Sequence, residues 1–291
     1  MTASDEINRR AWQPFTPRGV AQFAHSPLRR LLVMQLIFAL LAAATVGWFL
    51  DRAWFSTIRA AVRQLPPTGE IKSRRLDWPA GSPQVLATGP FLALVVDLSH
   101  SGQSRPPADV VVEFGRDNIR VFSLLGYLEF AYPDGWIIAF NQHELRPWWG
   151  AWEPPLLWMT AGASLVAIML NWAVLAAVYS GLLWLVGFIA NRELNLWSNW
   201  KLSGAALMPG ALLMTLGIVL YGLGVLGLVR FLVIAGVHFV VGWAYAIAGV
   251  LVTPRTQAAT FVKGNPFRVP QKPPGDVAQP GPDAGPPSSP P

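Results

Sequence analysis

Cysteine is absent from this chain of 291 residues, and charge is scarce. Without cysteine the chain forms no disulfide, offers no thiolate nucleophile and binds no zinc through sulfur. Charged residues make up 13% of the chain and apolar residues 53%, whereas a soluble domain has about 25% charged residues. The 14 Trp and 26 Gly suit bilayer interfaces and close helix contacts. The composition therefore predicts a membrane protein.

Sequence motifs give no support for catalysis, metal binding or nucleotide binding. His143-Glu144 does not extend to the zinc-protease pattern HExxH, because Pro147 occupies the position of the second histidine. The segment 97–100 holds Asp, Ser and His in one loop, whereas a hydrolase triad is assembled from separate segments. The glycine-rich run at 217–227 lies in an apolar span and predicts helix packing, not a phosphate loop. We therefore expect no enzyme activity, no cofactor and no metal site.

The first apolar segment, 31–50, has 20 residues without a charge. At 1.5 Å per residue, this length crosses a hydrocarbon core of about 30 Å. A cleaved signal peptide is the alternative interpretation, with Ala42-Ala43-Ala44 as its cleavage site. The long basic leader at 1–30, and an apolar stretch beyond the usual length of about 7–15 residues, favour an uncleaved helix. Helical spacing then predicts a juxtamembrane amphipathic helix over 51–69, ended by prolines.

Residues 70–153 contain no spanning segment and predict a small extracytoplasmic β-rich domain of four or five antiparallel strands. β-Branched and apolar residues mark a strand at 91–98, a hairpin of 110–114 and 119–122, and a hairpin of 128–132 and 136–140. The second hairpin depends on the turn Pro133-Asp134-Gly135, in which Pro presets φ and Gly accepts a positive φ. Trp136 is expected in the core of this domain.

Three further spans complete a predicted α-helical bundle of about four transmembrane helices. Their segments are a long second helix at 154–190, a cytoplasmic connection at 191–203, a third helix at 204–229, a fourth helix at 231–252 and a disordered Pro-rich tail at 253–291. The 37 uncharged residues of 154–190 are too many for one perpendicular span and few for two. Since no turn interrupts them, we expect one long, tilted helix. Arg230 is expected in the turn between the last two helices.

The distribution of charge predicts the orientation of the spans. The leader carries +3, the 191–203 connection +1 and the tail +2, whereas 51–153 carries ten Lys or Arg against eleven Asp or Glu. By the positive-inside rule, this pattern indicates a multi-pass protein of the cell membrane with both termini in the cytoplasm. The basic charge is thus assigned to topology, and no nucleic-acid partner is expected. Amphipathic side chains expected at the two interfaces are Trp148, Trp149, Trp152, Trp197, Trp200 and Arg230.

Two polar residues stand out within the predicted spans. Asn171 lies near the middle of the second helix, and His238 shares a stripe of the fourth helix with Gly242 and Ala246. Both are candidate intramembrane polar contacts, since intramembrane ionisable and amide groups often bind ligands or carry protons. Interhelical hydrogen bonds are the alternative, worth about 0.6–2 kcal/mol each. No Asp or Glu lies inside a span to partner His238.

Three features are shared with a known bacterial family. They are a strand that ends in Asp at 91–97, a later strand pair at 109–122, and an early proline after small residues at 204–209. Over about residues 25–253 the chain resembles a multi-pass membrane family known as a domain of unknown function, some members of which are labelled maltodextrin utilisation proteins. The resemblance implies the same architecture and no established activity.

The sequence therefore predicts a non-enzymatic, partner- or ligand-binding assembly module with an exported domain. Its expected partners are the lipid bilayer and other membrane proteins. The alternative is a small transporter or a transport accessory subunit, in which Asn171 and His238 line a polar path.

Overall fold

The computed structural model describes residues 14–192 and 194–255. Most of the predicted tail and the first part of the basic leader lie outside the described residues. The described helices are α1 (Pro17–Phe23), α2 (Leu28–Leu50), α3 (Ser56–Gln64), α4 (Gln142–Ile189), α5 (Leu196–Gly222) and α6 (Leu228–Val252), with a π-helical turn at Asp51–Phe55 between α2 and α3. Four helical stretches are long and apolar enough to cross a membrane: α2 continued through α3, α4, α5 and α6. The prediction of four long apolar helices is confirmed.

Helix α5 lies at the centre of the bundle, and α6 lies at its periphery. In the most apolar stretch of α5, 56% of the residues are buried, against 11% in α6. Small residues permit the central packing: a Cβ atom on Gly210 would lie 2.5 Å from the backbone oxygen of His238 in α6. On the other side of α5, the Gln35 side chain of α2 donates to the Gly204 carbonyl at 3.2 Å. Glycine therefore sets the distance between α5 and its neighbours.

Several helix boundaries differ from those expected. Helix α4 begins at Gln142 and not at residue 154, because the Asn141 side chain caps it by accepting the Glu144 N–H at 3.0 Å. Helix α5 begins at Leu196, so the connection is shorter than 191–203. Lys201, expected in that connection, lies in α5 and donates to the Ser26 carbonyl at 2.8 Å.

The second set of differences concerns the glycine-rich run and Arg230. Residues 223–227 form the turn between α5 and α6, so only the first part of the run lies in a helix. Gly224 has a φ of +75°, which glycine adopts without strain. Arg230 lies in the first turn of α6 and not in the connecting turn, because α6 already starts at Leu228.

Helix α3 covers one sheet of the β-rich region. Ala61 and Leu65 are buried in its core, as the amphipathic pattern over 51–69 predicted. By helical spacing Trp54 shares this face with Ala61 and Leu65, but it is 37% exposed. Trp54 lies within the π-helical turn, whose wider winding breaks the 3.6-residue spacing on which that face depends.

The β-rich region has eight strands in two sheets, more than the four or five antiparallel strands expected. The strands are β1 (Glu70–Lys72), β2 (Arg75–Asp77), β3 (Gln84–Thr88), β4 (Leu92–Val96), β5 (Val110–Phe114), β6 (Asn118–Ser123), β7 (Gly126–Ala131) and β8 (Ile138–Ala139). One sheet has the order β2-β1-β8 and the other β3-β4-β5-β6-β7. Strands β4 and β5 run parallel, because the loop 97–109 returns the chain to the opposite end of the sheet.

One predicted hairpin is confirmed and the other is wrong. Strands β5 and β6 pair around the turn at 115–117, as expected. Strand β7 pairs with β6 across the two-residue loop Leu124-Leu125, and β8 pairs with β1. The true turn was missed because Leu-Leu is not a turn pair by composition; Gly126, with φ +115°, supplies the needed backbone freedom. Trp136 does not pack in the core and is 67% exposed.

The β-rich region is attached to the ends of the helices by specific contacts. The Tyr221 hydroxyl of α5 donates to Asp109 at 2.5 Å. Phe91 packs edge-on against Tyr221, with ring centroids 4.9 Å apart, and Phe49 of α2 contacts both rings. These contacts connect the domain to two helices at once.

Candidate functional site

Asn171 and His238 line one shared cavity of about 280 Å³. Helix α4 contributes Asn171, α6 contributes His238, and α5 contributes apolar residues such as Ala211 and Met214. Asn171 is exposed, so the cavity opens on the surface of the bundle. The structure thus brings the two predicted polar residues together.

Some polar atoms of His238 and Asn171 in this cavity are still able to form hydrogen bonds with a ligand. His238 Nδ1 contacts the Ala235 carbonyl of its own helix, which requires the proton on Nδ1 and leaves Nε2 of the neutral ring as an acceptor. The Thr215 hydroxyl is used internally, donating to the Ala211 carbonyl at 2.8 Å. Asn171 makes no hydrogen bond to any residue that the structure describes. The cavity can therefore receive a small uncharged polar group or a polar side chain.

The predicted interfacial residues lie at both ends of the helices. Trp148 and Trp152 are exposed near the start of α4. Trp149 packs edge-on against Phe55 at 5.0 Å and is partly buried. Trp197 and Trp200, at the start of α5, stack with centroids 5.0 Å apart. Arg230 is exposed at the start of α6.

Strand β7 forms an exposed apolar edge of the five-stranded sheet. All six of its residues are exposed, including Tyr127, Leu128 and Phe130. At its start Leu125 is 95% exposed, and beyond its end Trp136 is exposed as well. We call strand β7 with its flanking apolar residues the β7 edge. Clusters of exposed apolar side chains are a common feature of binding sites in proteins.

The backbone of β7 has groups available for another strand. The two-residue loop makes Ser123 and Gly126 a hydrogen-bonded pair. Antiparallel pairs alternate, so Tyr127, Glu129 and Ala131 direct their N–H and C=O groups away from β6. The strand has no Lys and no Pro, two residues that commonly protect edges. Its one charge, Glu129, is bound by Arg120 at 3.0 Å.

A polar network lies in the loop after β4 and across β5. Glu113 is 1% exposed; its carboxylate contacts His100 Nδ1 at 2.5 Å and Arg105 at 3.5 Å. His100 Nε2 contacts the Asn118 side-chain oxygen at 2.5 Å. Both ring nitrogens of His100 therefore contact side-chain oxygens of the network. The network has the contacts of a structural element.

Asp97 organises the same loop. Burial raises the pKa of Asp97, but hydrogen bonds from the Ser101 hydroxyl, the Gly102 N–H and the Ser99 hydroxyl and N–H outweigh it, and the pKa is lowered overall. The Ser101 and Gly102 bonds are 2.8 and 3.0 Å long. Within residues 14–192 and 194–255, no group of three or more His, Asp or Glu side chains is placed to hold a metal ion.

Sequence reasoning found the two cavity residues and missed the β7 edge. Asn171 and His238 were detectable because polar residues are rare in apolar spans. The β7 edge was not, because Tyr-Leu-Glu-Phe has the alternation of an ordinary half-buried strand, and alternation does not say which strand is last in a sheet. Comparison of the chain with protein-family models, with curated proteins and with solved structures finds no match.

Proposed function

We propose that this protein is a non-enzymatic module of the cell membrane that binds another membrane protein through the β7 edge. Four helices cross the bilayer, both termini lie in the cytoplasm, and the β-rich region lies outside. The observation that carries the proposal is that all six residues of β7 are exposed, with apolar side chains and outward-directed backbone groups.

The membrane placement rests on the helices and on charge. The exposed surfaces of α4 and α6 are apolar, with Leu170, Val174, Val233 and Val240 each more than half exposed. Water solvates such surfaces poorly and lipid solvates them well. The net positive charge of the leader and the tail supports a cytoplasmic position for both segments.

The occupant of the β7 edge is an extended segment beside a transmembrane helix of the partner. Added strands bind through main-chain hydrogen bonds and through pockets for alternate side chains. Leu124, at the tip of the β6–β7 hairpin, lines a cavity with Leu228, the first residue of α6. The edge therefore begins close to the bilayer, within reach of a juxtamembrane segment. Because Glu129 is already paired, an uncharged segment fits best.

Site-specific crosslinking in cells that naturally contain the protein tests this proposal. A photoreactive phenylalanine at Tyr127 is expected to give one discrete protein adduct. The matched control is the same residue at Val85 on β3, the opposite edge, which is 41% exposed. Glu129→Pro should abolish the adduct, because proline removes an outward N–H and leaves the pairing with β6 intact. Glu129→Ala should retain it.

The other outcomes are also decisive. An adduct of twice the chain mass would mean that the partner is a second copy of this chain and not a different membrane protein. Lipid adducts alone would mean that the edge contacts the bilayer. Equal adducts at Tyr127 and Val85, or an adduct unaffected by Glu129→Pro, would overturn strand addition.

A small transporter or transport accessory subunit is the second candidate, favoured by the cavity that Asn171 and His238 share. In reconstituted vesicles, Asn171→Ala and His238→Ala should each reduce solute flux while the thermal stability changes by little. If stability falls and no flux changes, the two residues are structural and the transporter function is rejected.

A further inference from the structure

A cleft of about 650 Å³ opens where the helices meet the β-rich region. Its walls are the end of α2 with the π-helical turn, the turn between β3 and β4, and the end of α5. Ligand sites in proteins commonly have volumes of about 300–1,000 Å³. The cleft is thus large enough for a small ligand, and the β7 edge is not part of it.

Two glycines hold the walls of the cleft close together. A Cβ atom on Gly222 would lie 2.8 Å from the Trp48 ring, and one on Gly89 would lie 2.8 Å from the Thr57 hydroxyl. Both distances are shorter than real Cβ contacts, so only glycine allows these approaches. The end of α5 is therefore held against α2, and the β3–β4 turn against α3.

Arg52 presents a positioned guanidinium to the cleft. Its Nε donates to the Gly222 carbonyl at 3.1 Å, and its Cζ lies 6.0 Å from the centre of the Trp48 ring. The two Nη atoms have no partner among residues 14–192 and 194–255. A guanidinium fixed at Nε leaves its remaining N–H donors for an anion, and phosphate matches their geometry.

Asp51 brings a negative charge to the same cleft. Its carboxylate accepts a hydrogen bond from Arg59 at 3.0 Å and is 47% exposed. Arg59 is also bound by Glu153. Among the described residues that line the cleft, the charged side chains are Asp51 and Arg52, so the charges of the lining balance. A balanced site favours a zwitterion over a free anion.

The position of the cleft along α2 suits a lipid head group. Asp51 and Arg52 are the first charges after the uncharged segment 31–50. Trp48 and Trp54 flank them and are 38% and 37% exposed, as expected of indole rings at head-group depth.

We propose that this cleft binds the head group of a phospholipid that carries both a phosphate and a primary ammonium, the phosphoethanolamine type. The phosphate contacts Arg52, and the ammonium contacts Asp51. This inference rests on the proposed membrane placement and is independent of the partner at the β7 edge.

Native mass spectrometry of the detergent-purified full chain, titrated with phosphatidylethanolamine, tests the site. Arg52→Gln should weaken binding about 10- to 100-fold, since a charge-assisted hydrogen bond is lost. Ala60→Phe should weaken it similarly, because Ala60 lines the cleft and is exposed, so the larger ring fills the cleft without burying itself in the core. Arg230→Gln is the matched control, an exposed arginine at the start of α6 outside the cleft, and should bind within twofold of the unaltered chain.

Three results would overturn the site: no weakening in either cleft variant, equal weakening by Arg230→Gln, or tighter binding of phosphatidylglycerol than of phosphatidylethanolamine. If soluble phosphoethanolamine competes at the same concentration as the lipid, the cleft recognises the phosphoethanolamine group, but the ligand that supplies this group is not a lipid. Crosslinking from Tyr127 should be unchanged in Arg52→Gln, so failure of the head-group site and failure of the proposed function are distinguishable.

Discussion

The contact between His100 and Glu113 joins the loop after β4 to strand β5 of the five-stranded sheet. Glu113 is 1% exposed, and its shortest contact is His100 at 2.5 Å, whereas Arg105 lies 3.5 Å away. His100→Ala would leave the carboxylate buried with one distant partner. A buried group that loses its hydrogen-bond partner costs about 1–3 kcal/mol, and a carboxylate costs more than a neutral group. Because Glu113 is a carboxylate and Arg105 remains, we expect a loss of about 3 kcal/mol.

Hydrogen exchange measured on peptides from β5 and β6 in the detergent-purified full chain would test this expectation. A loss of about 3 kcal/mol should accelerate exchange roughly 100-fold if these strands open together. Adding Glu113→Gln to His100→Ala should recover part of the loss, because a neutral amide costs less to bury than a carboxylate. Acceleration below about threefold, or a double variant whose loss is the sum of the single losses, would refute the buried-charge reasoning.

Three further predictions concern the loop, the junction and the helices. Because the pKa of Asp97 is lowered in the folded state, its carboxylate contributes fully to stability above the unfolded-state pKa near 3.8. This contribution is lost as the pH falls through the folded-state pKa. Asp97→Asn should therefore remove this acid dependence from unfolding curves measured below about pH 4. Tyr221→Phe deletes the hydrogen bond from α5 to Asp109 of the β-rich region and should lower the stability measured by thermal unfolding by about 1–3 kcal/mol. An unchanged stability would contradict a fixed junction between the two. Gly210→Ala should push α5 away from α6 and lower the free energy of unfolding by about 1–3 kcal/mol. The control is Gly236→Ala, whose Cβ meets nothing within 4 Å and which should change the midpoint of thermal unfolding little. Equal effects of the two substitutions would contradict the close approach of α5 and α6.

The long helices were predictable from sequence because their signal is composition over many residues. Uncharged stretches such as 31–50 identify a helix whatever its neighbours are. The helix ends were less predictable, since they depend on single caps such as Asn141 and Asn195, whose side chains accept N–H groups of the following turn. A proline at 154 was a reasonable first residue for a helix, but the cap at Asn141 starts α4 earlier.

The sheet was predictable only in part because strand order depends on long-range pairing. The β5–β6 hairpin has a turn with characteristic residues and was found. The β6–β7 turn has Leu124-Leu125 at its centre, so composition indicated a strand there. The parallel pairing of β4 with β5 depends on the loop 97–109, which carries no parallel-strand signal of its own.

The candidate sites were also predictable only in part. Asn171 and His238 were recognisable one at a time, but their meeting in one cavity depends on how α4 and α6 pack around α5. Arg52 was visible only as one charge on an amphipathic helix. Its role in the cleft follows from Gly222, which lies 170 residues further along the chain, and no local pattern connects the two.

The absence of cysteine permits a direct test of the central claim, that four helices cross the bilayer with the β-rich region outside. Single cysteines placed at Leu125 and at Trp197, which are 95% and 54% exposed, would be reacted with a membrane-impermeant maleimide. We predict that Leu125→Cys is labelled in intact cells and that Trp197→Cys is labelled only after the membrane is permeabilised. The reverse pattern would contradict the orientation, and labelling of both in intact cells would contradict the four-span topology.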